Sequence, residues 1–455
     1  MDHFAYKNGE LFCEDIAAEA IARSAGTPCY VYSQQTLLDH YDRLAAAFAP
    51  LDPMICYSIK SCSNISICRL LGQRGAGMDL VSGGELRRAL VAGISADRCV
   101  YAGVGKTDAE IREAIEAGVG WLNVESEEEF QNISAIAGQM KSRCRAALRV
   151  NPDVDPKTHR YTSTGKKETK FGVDIERAKA FFKSYGRDRH CALQGIHLHI
   201  GSPIYSVEPY VQAIEKALRL IDELTNEGYE IEMLDLGGGF GADYQSDQSP
   251  LASDYAQRIV PLLQERVQRG LKIILEPGRT IVANAGILLV RVLYVKKSGE
   301  KTFAICDGGM NDLIRPSHYG SFHFIWPVKV DVQHVPARRA EQMDLPGLVA
   351  VDVVGPICES GDFLALDRPL PPVQRGDLLA VFTTGAYGMV MASRYNSMPL
   401  PAEVLVDRGQ VKLVRRRETY DDLTAHEQEI EVLTTEGIKT SSRPGMKKKG
   451  VRELI

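Results

Sequence analysis

A chain of 455 residues, 44% hydrophobic and 25% charged, has the length for two or three domains and a substantial core. Its formal net charge of −5 suggests neither nucleic acid nor an anionic membrane as partner, and no apolar run is long enough to span a bilayer. The opening Met1-Asp2-His3-Phe4-Ala5-Tyr6-Lys7 lacks the basic and apolar regions of a signal peptide, so a cytoplasmic protein is expected.

Residues 1–35 are mixed, with a strand expected at 7–12, a short helix at 17–24 and a strand at 29–32. From residue 54, β-rich apolar runs alternate with helical patterns. Strands are expected at 54–59, 77–81, 98–102, 120–124, 145–150, 193–200, 232–236 and 272–275. Amphipathic helices fit between most of them, including 107–117, 126–137, 207–227 and 253–269. Ser82-Gly83-Gly84-Glu85 has the spacing of a capping box and starts a helix where the second strand ends. Eight such units over residues 36–280 make an α/β chain with a (β/α)8 TIM-like barrel, whose active site lies at the C-terminal ends of its strands. Beyond residue 280 the texture changes to short β runs at 286–295, 302–305, 348–354, 378–382, 402–406 and 410–414. They predict a C-terminal all-β domain over 281–425. It takes in the strands of residues 1–35, because a closed barrel has no edge to accept them. Residues 426–455 are polar and without periodicity, and read as a partly disordered tail.

Unusual residues collect at one barrel mouth. Lys60 closes the first strand; its amine could serve a carbonyl cofactor as a Schiff base if desolvation or a neighbouring cation lowered its pKa, although a strand-end lysine taken alone more often reaches out to solvent. In His197-Leu198-His199-Ile200 both imidazoles point to the same side of the sixth strand, and His199 is placed to stack on a flat cofactor. After the seventh strand, Gly237-Gly238-Gly239 lets backbone N–H groups approach a phosphate. The same run also fits a structural turn, and it matches a dinucleotide fingerprint that lacks its βαβ context. Glu276-Pro277-Gly278-Arg279 follows the eighth strand. Glu276 could meet a protonated pyridine nitrogen or pair with Arg279. Ten cysteines are scattered without C-x-x-C or Cys/His metal spacing, so no metal site or disulfide framework is expected. Cys358, in Cys358-Glu359-Ser360-Gly361-Asp362, has acidic neighbours that do not favour an anionic nucleophile, but a protonated thiol can still give up a proton.

Together these segments resemble the pyridoxal-phosphate-dependent decarboxylases of the alanine-racemase-like barrel fold, and within them the diaminopimelate decarboxylase branch. The resemblance runs through Tyr57-Ser58-Ile59-Lys60, Asp79-Leu80-Val81-Ser82-Gly83-Gly84-Glu85, Arg149-Val150-Asn151-Pro152, His199-Ile200-Gly201-Ser202, the triple glycine, Glu276-Pro277-Gly278-Arg279, Met310-Asn311-Asp312-Leu313-Ile314-Arg315, the Cys358 segment and Gly385-Ala386-Tyr387-Gly388. It implies that Lys60 carries pyridoxal 5′-phosphate covalently, with His199 against the ring and Glu276 at its nitrogen. Ser202, Gly237, Gly238 and Gly239 serve the phosphate, and Pro277, Gly278, Arg279 and Tyr387 lie beside the cofactor. For an amino-acid substrate it implies Arg279, Arg315, Tyr319, Glu359 and Tyr387, with Cys358 as proton donor. It also implies a homodimer with shared active sites, each receiving the Cys358–Glu359 segment from the other subunit. The implied reaction is loss of carbon dioxide from meso-2,6-diaminopimelate to give L-lysine, the last step of lysine biosynthesis.

The sequence departs from the family pattern at Ser61-Cys62-Ser63, at Pro203 and at Met398-Pro399-Leu400-Pro401, which bears on substrate preference more than on reaction type. The rival substrates are ornithine, lysine, carboxynorspermidine and a carrier-bound amino acid. A non-catalytic relative that binds a partner protein is the rival of a different class; it would be expected to lose cofactor groups, yet Lys60, Glu276 and Cys358 are all present.

Overall fold

The structure is a computed structural model that describes residues 2–155 and 170–428. Eight parallel strands, Met54–Ser58, Gly77–Leu80, Cys99–Tyr101, Trp121–Val124, Cys144–Asn151, Cys191–His197, Met233–Asp235 and Lys272–Leu275, pair in sequence order. The last returns to the first through Ile274 opposite Met54 and Leu275 opposite Ile55, which closes the barrel. Several strands, among them Gly77–Leu80 and Trp121–Val124, are buried at every position, as expected for strands covered on both faces.

The pleat organises the barrel interior into layers. Cys56, Val100, Trp121, Ala147, Met233 and Ile274 form an apolar cluster of their own. Gly77 and Gly195 complete that layer without side chains. An added Cβ would lie 3.0 Å from Cys56 Sγ at Gly77 and 2.8 Å from Ala147 Cβ at Gly195. Two positions further along, on the same face, stand Ser58, Asp79, Asn123, Arg149, His197, Asp235 and Glu276, with Ala102 in the third strand. A polar layer therefore sits directly above an apolar one, toward the C-terminal mouth.

The expected helices are present as Asp108–Ala117, Glu127–Gln139, Glu208–Asn226 and Ala252–Gln268. Ser82 caps the helix Gly83–Ala92 by accepting from the Glu85 N–H at 3.2 Å. The other half of the expected box is displaced by one residue, since Glu85 accepts from the Val81 N–H at 2.7 Å.

In the β domain, Gly286–Ser298 pairs with Lys301–Cys306, with Leu378–Val381 and with the N-terminal strand Cys29–Ser33, which also pairs in parallel with Ala402–Asp407. The strand expected at 7–12 is instead a hairpin of Phe4–Lys7 and Glu10–Cys13. Asn8 and Gly9 both take left-handed φ, at 52° and 81°, and turn the chain between them. A Glu10–Lys329 bridge ties this hairpin to the β domain. Phe363–Leu370 was not expected as a strand; it carries Pro369 and lies at a sheet edge, where a missing N–H is tolerated. The tail expected at 426–455 lies outside the described residues from 429 onward. No helix among the described residues is long and apolar enough to cross a membrane.

The turn leading to Arg315 holds a buried carboxyl. Asp312 accepts from the Gly309 N–H at 3.1 Å through one oxygen, while the other is buried without a partner. Burial, with help from Asp307, pushes this carboxyl up to about 7. A carboxyl raised in the fold favours the folded state at low pH, and that contribution is lost as pH rises toward the folded pKa, at about 1.4 kcal/mol per pH unit. Asp312→Asn is therefore expected to flatten the decline in unfolding free energy between about pH 5 and pH 7. Denaturant titrations with parallel pH dependences in wild type and variant would refute this.

Candidate active site at the barrel mouth

Lys60 stands in the turn Ile59–Ser61 that follows the first strand, and its Nζ lies 2.5 Å from Asp79 Oδ2. The Ser58 hydroxyl donates to the same oxygen at 2.5 Å. Burial opposes the ammonium charge, but Asp79 and then Glu276 outweigh it, and the net shift of the lysine is upward. The condition of a lowered lysine pKa is therefore not met for the free side chain. Two carboxylates, not a cation, are its close charged neighbours. Asp79, fully buried, is pushed up by burial and Glu276 and pulled back by Lys60.

Glu276 follows the eighth strand and turns toward the barrel axis. Its Oε2 is 3.4 Å from His197 Nε2 and 4.0 Å from His199 Nδ1, and its Oε1 accepts from Asn123 Nδ2 at 3.4 Å. Burial opposes ionisation here too, yet His197 and Lys60 hold this carboxyl well below the usual range. Neighbouring Asp235 moves the opposite way, raised by burial and by Glu276, because two carboxyls in so dry a place cannot both ionise. His199 is pushed well down by burial, Arg149 and Lys60. Its neutral ring accepts from the Gly238 N–H at Nδ1, 3.3 Å away, which assigns the ring proton to Nε2. The expected alternative of a Glu276–Arg279 pair is not formed.

The triple glycine is demanded by packing. Gly237 has φ +68°, and a Cβ there would lie 2.2 Å from the Leu198 carbonyl oxygen; Gly239 has φ +101° and would place one 2.3 Å from that of Gly201. The Gly237 N–H donates to Asp235 at 2.8 Å. Gly278 meets the same constraint, since a Cβ would lie 2.9 Å from Ser58 Cβ, and the Pro277 carbonyl accepts from the Ser58 N–H at 3.0 Å.

Beside this layer opens a cavity of about 410 Å³, lined in part by His199, Ser202, Tyr244, Arg279, Arg315, Tyr319 and Tyr387. Arg279 opens a short helix after Gly278, donates from Nε to Ser202 Oγ at 3.3 Å and lies 4.7 Å over the Tyr387 ring. Tyr387 comes from the β domain, with its N–H donating to the Ser61 carbonyl at 2.7 Å. Arg315 and Tyr319 share one face of the helix Arg315–Tyr319, and Arg315 Nη2 donates to Ser321 Oγ at 3.2 Å. Barrel and β domain thus build the cavity jointly.

Cys358 and Glu359 are not part of it. Both are exposed on a turn of the β domain, where the Cys358 N–H donates to Asn396 Oδ1 at 2.9 Å. Asp362 braces this turn by accepting from the Ile357 and Met310 N–H groups at 2.6 and 2.7 Å. The other nine cysteines are buried. His197, Asp235 and Glu276 have ligand atoms within 4.8 Å of one another, and the His197 Nε2 to Glu276 Oε2 contact of 3.4 Å lies inside that cluster.

Ser58, Asp79, Asn123, Asp235 and Tyr244 were not singled out from the sequence. For the first four the available signal was their common offset of two residues from an interior apolar or glycine position; Tyr244 lies in a loop without such a pattern.

The site fits pyridoxal phosphate: an amine at Lys60, a buried carboxylate held anionic at Glu276, and a glycine run that packing keeps free of side chains. Residues 34–283 match the family model described as the pyridoxal-binding domain of pyridoxal-dependent decarboxylases. Fold and site together define a pyridoxal-phosphate-dependent decarboxylase of the barrel type. The chain is 47% identical over 420 residues to the diaminopimelate decarboxylase of Aquifex aeolicus, covering 92% of this chain and 96% of that protein. It is 46% identical to that of Pseudomonas aeruginosa, covering 94% and 99%. The crystal structure of diaminopimelate decarboxylase from Helicobacter pylori complexed with L-lysine matches with a TM-score of 0.83 at 38% identity, covering 90% of this chain and 99% of that one. The chain belongs to the diaminopimelate decarboxylase family.

Proposed function

We propose that the barrel mouth works by the following division of labour as the chain converts meso-2,6-diaminopimelate to L-lysine and carbon dioxide. Pyridoxal phosphate, when bound, supplies a protonated heteroaromatic ring that accepts the electron pair left behind as carbon dioxide departs. Lys60 supplies the amine that anchors it, and Asp79 Oδ2, 2.5 Å away, receives that side chain as an ammonium when it is free. Glu276 stays anionic so that a pyridine nitrogen placed against it keeps its proton. His199 offers the face of a neutral ring. Ser202 and Gly237 to Gly239 serve the phosphate, with Tyr387 alongside. Arg279 and Arg315, with Tyr319, take substrate carboxylate, for which planar guanidinium forks are suited. The single observation that carries this reading is a fully buried carboxylate inside a closed barrel, kept anionic by His197 and Lys60.

The proton donor comes from a second copy. Within one chain Cys358 and Glu359 are exposed and do not line the cavity they are inferred to serve, so the active unit is a homodimer in which each copy completes the other's site. Ten free cysteines suit the reducing cytoplasm, where we place the enzyme.

Carbon dioxide release measured side by side from meso-, LL- and DD-diaminopimelate, ornithine and lysine tests the substrate. Turnover is expected with the meso isomer, at least about 100-fold above ornithine, because a site built for a charged group rejects a substrate that lacks it. Preference for ornithine would overturn the assignment.

A further inference from the structure

Arg279 and Arg315 are both buried against one cavity, and among the described residues neither forms an ion pair with a carboxylate. Two guanidiniums placed so close repel each other, and something must hold them in register. Tyr244 stands between them. Arg279 Nη1 donates to its hydroxyl at 2.5 Å, and the guanidinium carbon of Arg315 lies 5.3 Å from its ring centroid. The ring is itself fixed. His323 meets it edge-on at 5.3 Å, with an imidazole pushed down to about 3 by burial and Arg315, so that no third positive charge is added. The carbonyl of Asp243, in the peptide preceding Tyr244, accepts from Asn284 Nδ2 at 2.6 Å and from Thr383 Oγ1 at 3.1 Å, so two side chains beyond the barrel clamp this barrel loop.

The chemistry of the residue matters as much as its place. An aspartate or glutamate here would pair with both arginines and cancel the charge they offer a ligand. A phenol gives them an acceptor oxygen and an electron-rich face without neutralising either. We propose that Tyr244 is a positioning residue that holds Arg279 and Arg315 as a preassembled, uncancelled pair for the substrate carboxylate that is retained. The departing carboxylate is not their target, because two cations gripping it would favour the ground state over loss of carbon dioxide. Ornithine and lysine keep a distal ammonium but lack that carboxylate, so the same pair meets an uncompensated cation and repels it. This inference rests on the reading that the arginine pair binds substrate.

Tyr244→Phe keeps the ring and removes the hydroxyl. It is expected to raise KM for meso-diaminopimelate about 10-fold, the loss typical of a hydrogen bond to a charged group, with kcat within about twofold of wild type. Binding of pimelate, which has both carboxylates and no amine, should weaken by a similar factor in calorimetry. In an Arg279→Lys background Tyr244→Phe should add little, because it acts through that arginine. Unchanged KM and pimelate affinity in Tyr244→Phe, or full additivity with Arg279→Lys, would overturn the proposal. If Arg315→Gln also leaves both quantities unchanged, it is the arginine reading that fails; if Arg315→Gln weakens both while Tyr244→Phe weakens neither, only the role of Tyr244 falls. Should Tyr244→Phe not fold, 4-aminophenylalanine at position 244, which keeps the ring and its size but offers Arg279 no good acceptor, must raise KM, and an unmoved KM overturns the proposal.

Discussion

Lys60→Ala is expected to lose decarboxylation by at least about 10³-fold and to lose the visible absorption band that borohydride bleaches in the wild-type protein. No other residue can replace it in place. Lys106, whose side chain is enclosed near this end of the barrel, is committed to the carbonyls of Gly103 and Asn123 at 2.8 Å each and to Glu129 at 2.6 Å. The substitution also has a structural cost with a definite sign. Asp79 loses the ammonium that holds its carboxyl down and is left beside anionic Glu276, with only the Ser58 hydroxyl for compensation. A buried carboxyl in that position takes up a proton, and the stability it gives in protonated form is lost as pH rises through its raised pKa. The melting temperature of Lys60→Ala should therefore fall further behind wild type between about pH 5 and pH 8. A variant that keeps the band, or turns over within about tenfold of wild type, would refute the role of Lys60. A pH-independent stability gap would refute the account of Asp79.

What the sequence discloses follows from where each residue stands relative to its strand. Lys60, His199 and Glu276 lie at or past strand ends, where an ionisable residue interrupts an apolar run and can be noticed. Asp79 and Asp235 lie inside runs that are otherwise apolar, and in a single chain a polar residue on the barrel axis looks like one facing solvent. Only the closure of eight strands, which brings the same offset from the apolar layer onto one plane, separates the two cases. The spacing of Glu276 and Arg279 offered an ion pair that the fold forbids: Glu276 turns to the axis, while Gly278 redirects the chain so that Arg279 meets Tyr244 and Tyr387 instead. The upward shift of Lys60 is not legible for a related reason, since desolvation is foreseeable at a strand end but the two carboxylates waiting there come from other strands. The Asn8-Gly9 turn, by contrast, is legible, because that dipeptide favours left-handed φ at both positions of a two-residue hairpin loop.

Equal amounts of Lys60→Ala and Cys358→Ala protein, each with little activity alone, are expected to recover about a quarter of wild-type activity when mixed and allowed to exchange subunits. Random reassortment makes about half the dimers heterodimers, and in each of these one site carries both defects and the other carries neither. The expectation rests on the outward placement of Cys358, on a turn that Asp362 holds rigid through two backbone hydrogen bonds. A braced, exposed thiol presents its proton to a neighbouring molecule and cannot swing back to its own barrel without breaking those bonds. Cys358→Ala on its own should keep the borohydride-sensitive band, because Lys60 and Glu276 are untouched, while losing most turnover. Recovery that fails although co-purification of differently tagged subunits shows heterodimers would mean that Cys358 serves its own chain. Full turnover in Cys358→Ala would remove it from the reaction altogether, and the proton would then have to come from a group already inside the cavity.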